Sequence, residues 1–194
     1  MFAARLAGLL ILLSACGSVV DLEEYVNASS QAIGPANQTE FLTQVNKART
    51  NPAGQICYGE NPSGKLMLPV AALNWNTKLA AAAYYHAKDL AEHNGVQKFK
   101  DGTAHIGSDG STLPVRVDRA GYSYISSGEN LAAGQATAKD AVYGTPGNPQ
   151  SGWLPSNTMH CEILMSGSFS DMGMAMVQDS KGTKFWALVM GKPR

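Results

Sequence analysis

The sequence predicts an α+β domain, because its helical patterns come first and an antiparallel pair of strands comes last. The chain has 194 residues, 44% of them hydrophobic, which is enough for one domain with a real core. Twenty glycines and nine prolines indicate many loops between the elements. The formal net charge is zero and there is no basic run, so we expect no nucleic-acid partner.

Residues 1–15 have the pattern of a secretory signal peptide. Arg5 precedes an apolar run that is too short to span a bilayer, and small residues follow it. The final Leu-Ser-Ala-Cys resembles a bacterial lipobox, so we expect a lipid anchor on Cys16; an ordinary signal peptide is the alternative. Residues 16–38 then form a polar, lipid-anchored tether, and residues 39–194 form the domain.

Four segments have the pattern of helices. The first covers residues 39–50, where apolar side chains recur on one face. The alanine-rich second helix has Asn76 or Thr77 as its N-cap and Gly95 as its stop. Its His86 lies on the apolar stripe, where we expect it to pack rather than to bind a ligand. The other two helices are short: one runs from Ser111 as its cap to Gly121 as its stop, and the other covers residues 137–144.

The end of the chain has the pattern of a β-hairpin. In residues 172–177 and 184–191, every second side chain falls on the same face of a strand, and the segment between them contains Lys-Gly, which suits a hairpin turn. Three methionines share one face of the first strand, and we read this stripe as core. Trp186, Leu188 and Met190 share one face of the second strand.

The cysteines indicate one disulfide. The chain has three cysteines, Cys16, Cys57 and Cys161, and export would place them in an oxidising compartment. If Cys16 carries lipid, Cys57 and Cys161 are left to pair. The loop that they close would contain roughly a hundred residues, which is worth about 4–5 kcal/mol in the chain-entropy model.

Three polar residues stand among small and loop-forming neighbours: His105, Glu129 and His160. Two imidazoles and a carboxylate fit a divalent metal or an acid/base pair equally well, and their spacing alone does not bring them together. The nearby Arg116 and Arg119 are expected to pair with carboxylates.

Five pieces of the chain resemble, in order, the bacterial branch of the CAP superfamily (cysteine-rich secretory, antigen 5 and pathogenesis-related 1 proteins). The pieces are VNKART, LNWNTKLAAAAYYHAKDLA, HIGSDGSTLPVRVDRAGYSYISSGENLAAG, GWLPSNTMHCEIL and SDMGMAMVQDSKGTKFWALVMG. The resemblance covers roughly residues 39–191. It implies the SCP fold, a three-layer α-β-α sandwich with a central antiparallel sheet.

The resemblance also implies a cleft with two histidines and two acidic residues that holds a divalent metal in some members. His105 and His160 match the histidines, and Glu129 matches one acidic residue. We therefore expect a metal such as zinc on the two imidazoles, with Glu129 as the partner that orients a ring or a bound water. Where the second acidic residue is expected the chain has Ser156, and the nearest carboxylate, Glu162, follows His160. The resemblance also implies the Cys57–Cys161 pair.

These features favour an exported, lipid-anchored binding module at the outer membrane or cell surface, whose cleft takes a lipid or protein ligand. The alternative is a metal-assisted hydrolase, with His105 and His160 holding the ion and Glu129 as catalytic base. A third reading makes the histidines buried structural groups of an envelope lipoprotein. The chain has neither Gly-x-Ser-x-Gly nor His-Glu-x-x-His, and the cleft lacks its second carboxylate, so we rank the binding module first.

Overall fold

The computed structural model describes residues 21–59 and 63–194. The helices are α1 (Leu22–Ile33), α2 (Pro35–Thr50), α3 (Thr77–Glu92), α4 (Gly95–Lys100), α5 (Leu113–Arg119), α6 (Ala138–Tyr143) and α7 (His160–Leu164). The strands are β1 (Ile56–Cys57), β2 (Lys65–Leu66), β3 (Asn74–Trp75), β4 (Tyr124–Ala133), β5 (Asp171–Gln178) and β6 (Lys184–Pro193). None of the helices in these two ranges is both long and apolar enough to cross a membrane.

A four-stranded sheet in the order β3-β5-β6-β4 forms the middle layer. Its three long strands are antiparallel, as predicted, and the two-residue β3 adds to β5 in parallel. The predicted hairpin is confirmed as β5–β6, with Met174 paired to Leu188. Both of these side chains are buried on the face that α2 covers through the Phe41–Trp186 contact. The sandwich predicted from the sequence is therefore confirmed.

The other face of the sheet packs closely on α3. Gly173 in β5 permits this approach, because a Cβ atom there would lie 1.9 Å from the backbone nitrogen of Ala80. Small side chains on both surfaces let the helix backbone and the strand backbone come together. As a result α3 is buried along the alanine-rich face that the sequence pattern indicated.

Several helix ends lie where the sequence placed them, and others differ. Asn76 caps α3 through its side-chain oxygen, and Gly121, with a positive φ of 72°, follows α5. Gly95, however, begins α4 rather than stopping α3, which ends at Glu92. The N-cap of α5 is Thr112 rather than Ser111.

The segment over residues 16–38, predicted as a polar tether, is largely helical where the structure describes it. Asp21 caps α1 with its carboxylate, and α2 already begins at Pro35. Tyr25 stacks on Tyr85 of α3 with ring centroids 3.9 Å apart. Helix α1 forms because its apolar residues recur every three or four positions and bury against α3. The signal peptide and Cys16 lie outside the described residues.

Strand β4 was not predicted, since the sequence Ser-Ser-Gly-Glu-Asn has the composition of a loop. It nevertheless pairs with β6 along its whole length, from Tyr124 opposite Pro193 to Ala133 opposite Phe185. Glycine, serine and asparagine have weak strand propensity, so the pairing with a strand far along the chain decides the conformation. Glu129 therefore lies in the middle of a sheet strand and not in a turn.

The Cys57–Cys161 disulfide is confirmed. It joins β1 to α7 across a sequence separation of 104 residues, with the two Cα atoms 5.4 Å apart. Both cysteines are fully buried. The bridge fixes α7, and with it His160, to the long loop between α2 and α3.

Candidate functional site

Glu129 lies at the centre of the site. It projects from β4 into the interior and accepts two hydrogen bonds from Arg116 Nη2, at 2.9 and 2.8 Å, and one from His105 Nδ1 at 2.8 Å. Burial alone would raise the pKa of this carboxyl, but the bond from His105 and the charge of Arg116 hold the pKa below its usual value. The carboxylate is therefore ionised and its oxygen atoms are occupied.

Arg116 joins the strand to the loop that carries His105. Its Nη1 donates to the carbonyl oxygens of Ser111 at 2.8 Å and His105 at 3.2 Å, while Nη2 holds Glu129. The loop closes on itself where Gly107 N donates to Ser111 O at 2.8 Å. Arg116 thus pairs with a carboxylate, as the sequence predicted, and it also sets the position of the His105 backbone.

His105 presents one imidazole nitrogen to the solvent side of the site. Because an ionised carboxylate can only accept, the Nδ1 atom of His105 must carry the proton that it shares with Glu129. The side chain is half exposed, and no described residue bonds to its Nε2. Glu129 therefore fixes the tautomer of His105 and leaves Nε2 free as an electron-pair donor.

His160 begins α7, and its ring rests on two hydroxyl groups. Its Nδ1 lies 3.2 Å from Thr158 Oγ1 and 3.4 Å from Ser156 Oγ. Burial, and then the nearby His105, lower the pKa of His160 to about 4. Asn130 Nδ2 donates to the His160 carbonyl at 2.9 Å and so ties α7 to β4. At neutral pH the ring is therefore uncharged.

Ser156 takes the position where the resemblance implied an acidic residue. Its hydroxyl, and not the carboxylate of Glu162, contacts His160. Glu162 packs against Gly59, where an added Cβ atom would lie 2.1 Å from Glu162 Oε1. The His160 ring consequently has a neutral polar partner, whereas the His105 ring has an ionised one.

His86 adds a buried imidazole that the sequence did not connect to the site. It packs in α3 as predicted, with Nε2 donating to Ala104 O at 2.9 Å. The same nitrogen is 4.0 Å from Glu129 Oε1. Burial lowers the pKa of His86 although Glu129 opposes the shift, so the ring is neutral. Its place on the apolar stripe was readable from the sequence, but its contact with a distant strand was not.

A groove with a volume of about 650 Å³ adjoins His160. One wall is α4, with Val96 and Phe99, and the opposite wall is the segment that ends at Trp153. The floor is the last part of β4, including Leu131. Sequence patterns did not reveal this groove, because α4 and β4 were both missed.

The geometry limits what the site can do. No cluster of three or more histidine, cysteine or acidic side chains within residues 21–59 and 63–194 could hold a metal ion. Glu129 cannot serve as a ligand or as a ready proton acceptor, since Arg116 and His105 already occupy it and lower its pKa. Its role is to position His105. Two imidazoles and an adjoining apolar groove remain as the groups that can contact a ligand.

Replacing Glu129 by glutamine should cost about 3–5 kcal/mol in the free energy of unfolding, because it leaves the buried Arg116 charge without its counter-ion. The side chains of this pair are only 5% and 3% exposed. The free energy is measured by denaturant unfolding monitored by circular dichroism.

The matched control is Asp109→Asn. Asp109 pairs with Arg119 at the surface, where the side chains are 49% and 54% exposed, so that loss should stay below about 1 kcal/mol. Equal losses in the two variants would show that the Glu129 pair is no more than a surface interaction.

Acid should destabilise the domain between about pH 6.5 and pH 4 through His160. The pKa of His160 falls from its ordinary value of 6.5 to about 4 in the folded chain. Between these values the unfolded chain binds more protons than the folded chain, so the free energy of unfolding decreases as the pH is lowered. His160→Gln removes the contribution of His160 to this pH dependence. The melting temperature of the variant should therefore fall less than that of the wild type between pH 7 and pH 4.5. Parallel melting curves for the two proteins would contradict the shifted pKa.

Two solved structures are similar to this chain at low sequence identity. An outer surface protein of Borrelia burgdorferi superposes with a TM-score of 0.50 at 15% identity, covering 90% of this chain and 97% of that one. An extracellular protein of Bacillus anthracis that contains an SCP domain gives a TM-score of 0.49 at 20% identity, covering 82% of this chain and 44% of that one. No curated protein matches the sequence.

The family match is more specific than these structural likenesses. Residues 42–190 match the cysteine-rich secretory protein family, also called CAP. The match spans the three site residues and both disulfide cysteines. The chain therefore belongs to the cysteine-rich secretory protein (CAP) family.

Proposed function

We propose that this protein is an exported binding module of the cell envelope, in which the groove beside His160 takes a lipid or protein ligand. The observation that carries the proposal is the groove of about 650 Å³, a size that suits a ligand. Val96, Phe99, Leu131 and Trp153 give it apolar walls, and His160 lies at its edge. Glu129, the base that hydrolysis would require in the alternative reading, is engaged by Arg116 and His105, which favours binding over hydrolysis.

The proposal includes a weak site for a divalent metal such as zinc on the two imidazoles, since His105 is near enough to His160 to lower its pKa. The Nδ1 atom of His105 is held by Glu129, and the hydroxyls of Ser156 and Thr158 can accept a hydrogen bond from Nδ1–H of His160. Each ring then keeps its Nε2 lone pair for a ligand, and the lowered pKa keeps His160 in the neutral form that metals require. A bound ion would supply an electrophilic contact for a polar group of the ligand.

The envelope location rests on the start of the chain. A lipid on Cys16 would hold the domain at a membrane surface, only a few residues from the beginning of α1 at Leu22. The similar Borrelia burgdorferi protein is an outer surface protein, which is in keeping with this location. The anchor and α1 together would leave little free tether between the membrane and the domain.

Calorimetric titration with zinc at neutral pH tests the metal site. The wild type should bind one weakly held ion, and His105→Ala combined with His160→Ala should abolish the binding. His93→Ala is the matched control, because His93 is an exposed histidine at the end of α3 that should not contribute. Equal zinc affinity in the double variant and the wild type would remove the metal from the proposal.

Cell fractionation tests the anchor. Cys16→Ser should release the protein from membranes or leave it unprocessed, because no acyl chain can then be attached. Residues 17–194 of the protein should be otherwise unaffected, so the melting temperature of the purified domain serves as the control. A Cys16→Ser protein of mature size that stays with the membrane would contradict the anchor.

A further inference from the structure

Strand β4 is an edge of the central sheet. The order β3-β5-β6-β4 gives it one neighbour, β6, and no described strand pairs with its outer side. An unpaired edge presents backbone N–H and C=O groups that can accept another strand. The groove beside His160 runs along the last part of this edge, over residues 131–133.

The sheet register shows which backbone groups point outward. Gly134 N donates to Lys184 O at 2.9 Å, so Gly134 is bonded toward β6. Along an antiparallel strand, residues whose backbone groups bond to the neighbouring strand alternate with residues whose backbone groups face outward. The backbone N–H and C=O groups of Leu131 and Ala133 therefore point away from β6. Trp153 gives an independent check, since its indole Nε1 donates to Leu131 O at 2.9 Å from the outer side.

Leu131 and Ala132 are buried, and Ala133 is half-buried. The outward groups that are both open and without a partner in residues 21–59 and 63–194 are therefore the N–H and C=O of Ala133. They lie on the floor of an otherwise mainly apolar groove. A hydrocarbon ligand would cover them without replacing their bonds to water, which costs free energy for each group. An extended peptide would bond to them through its own backbone.

We propose that the groove takes an extended peptide segment, which adds to the outer edge of β4 as a further strand. The proposal rests on the proposed function of the groove as a binding site and names the class of ligand. Side chains of an added strand alternate between its two faces, and here the faces are lined by Phe99 of α4 and by Trp153. Lys100 is the only lysine, arginine or acidic residue in the lining, so an acidic group in the peptide has a partner there.

The test starts from a display library of random seven-residue peptides selected on the wild-type protein. Enriched peptides are synthesised with a fluorophore, and their affinity is measured by fluorescence polarisation. Ala133→Pro removes the outward N–H without removing a β4–β6 bond, so it should weaken binding about tenfold or more. Ala133→Ser keeps the N–H and is the matched control, with affinity close to that of the wild type.

A second measurement avoids any dependence on how the proline variant folds. Each backbone amide of an enriched peptide is methylated in turn and tested on the wild type. Added-strand pairing predicts a period of two, in which methylation of the amides that face β4 abolishes binding and methylation of the alternate amides is tolerated. Peptide binding should also slow hydrogen exchange at the amide of Ala133.

The outcomes separate this proposal from the function beneath it. Peptides that bind with no period of two in the methylation scan, or with equal affinity for Ala133→Pro and Ala133→Ser, overturn strand addition. Failure to enrich any peptide, together with binding of a fluorescent fatty acid that Phe99→Lys abolishes, overturns the peptide class but keeps the groove as a binding site. Failure of both probes overturns the proposed function as well.

Discussion

The ion pair between Arg116 and Glu129 is the interaction on which the site depends. It is almost completely buried, and it connects the middle of β4 to helix α5 and, through backbone carbonyls, to the loop of His105. A buried charge needs both a counter-ion and hydrogen bonds to remain ionised, and each partner here receives both. The carboxylate can therefore stay negative in the interior and orient His105 by accepting a hydrogen bond from its Nδ1–H.

The two histidines differ because their partners differ. Nδ1 of His105 donates to a carboxylate, whereas Nδ1 of His160 lies beside the hydroxyls of Ser156 and Thr158. A carboxylate in place of Ser156 would oppose the effect of burial on His160. The serine leaves that effect unopposed, so His160 remains neutral in mildly acidic solution.

Local signals in the sequence were sufficient for some elements and not for others. The cap at Asn76, the hairpin turn and the cysteine pair each depend on neighbouring residues or on simple counting, and these predictions are confirmed. Strand β4 depends on its pairing with β6, which no local pattern encodes. The missed strand β4 also limited the prediction of the site. Resemblance identified His105, Glu129 and His160, but the position of His86 beside Glu129 and the groove became visible only in the fold.

Strand β4 has an unpaired outer edge, and the domain leaves only a short part of that edge open. Free edges promote association between copies of a protein, and natural sheets cap or shorten them. Here the indole of Trp153 occupies Leu131 O, and Gly134, with a positive φ of 92°, ends the strand directly after Ala133. Leu131 and Ala132 are themselves buried, so the open part of this edge is centred on the half-buried Ala133, between α4 and the Trp153 segment. The peptide proposed above would therefore have to enter between these walls and pair at Ala133, because the edge on either side of that residue is closed.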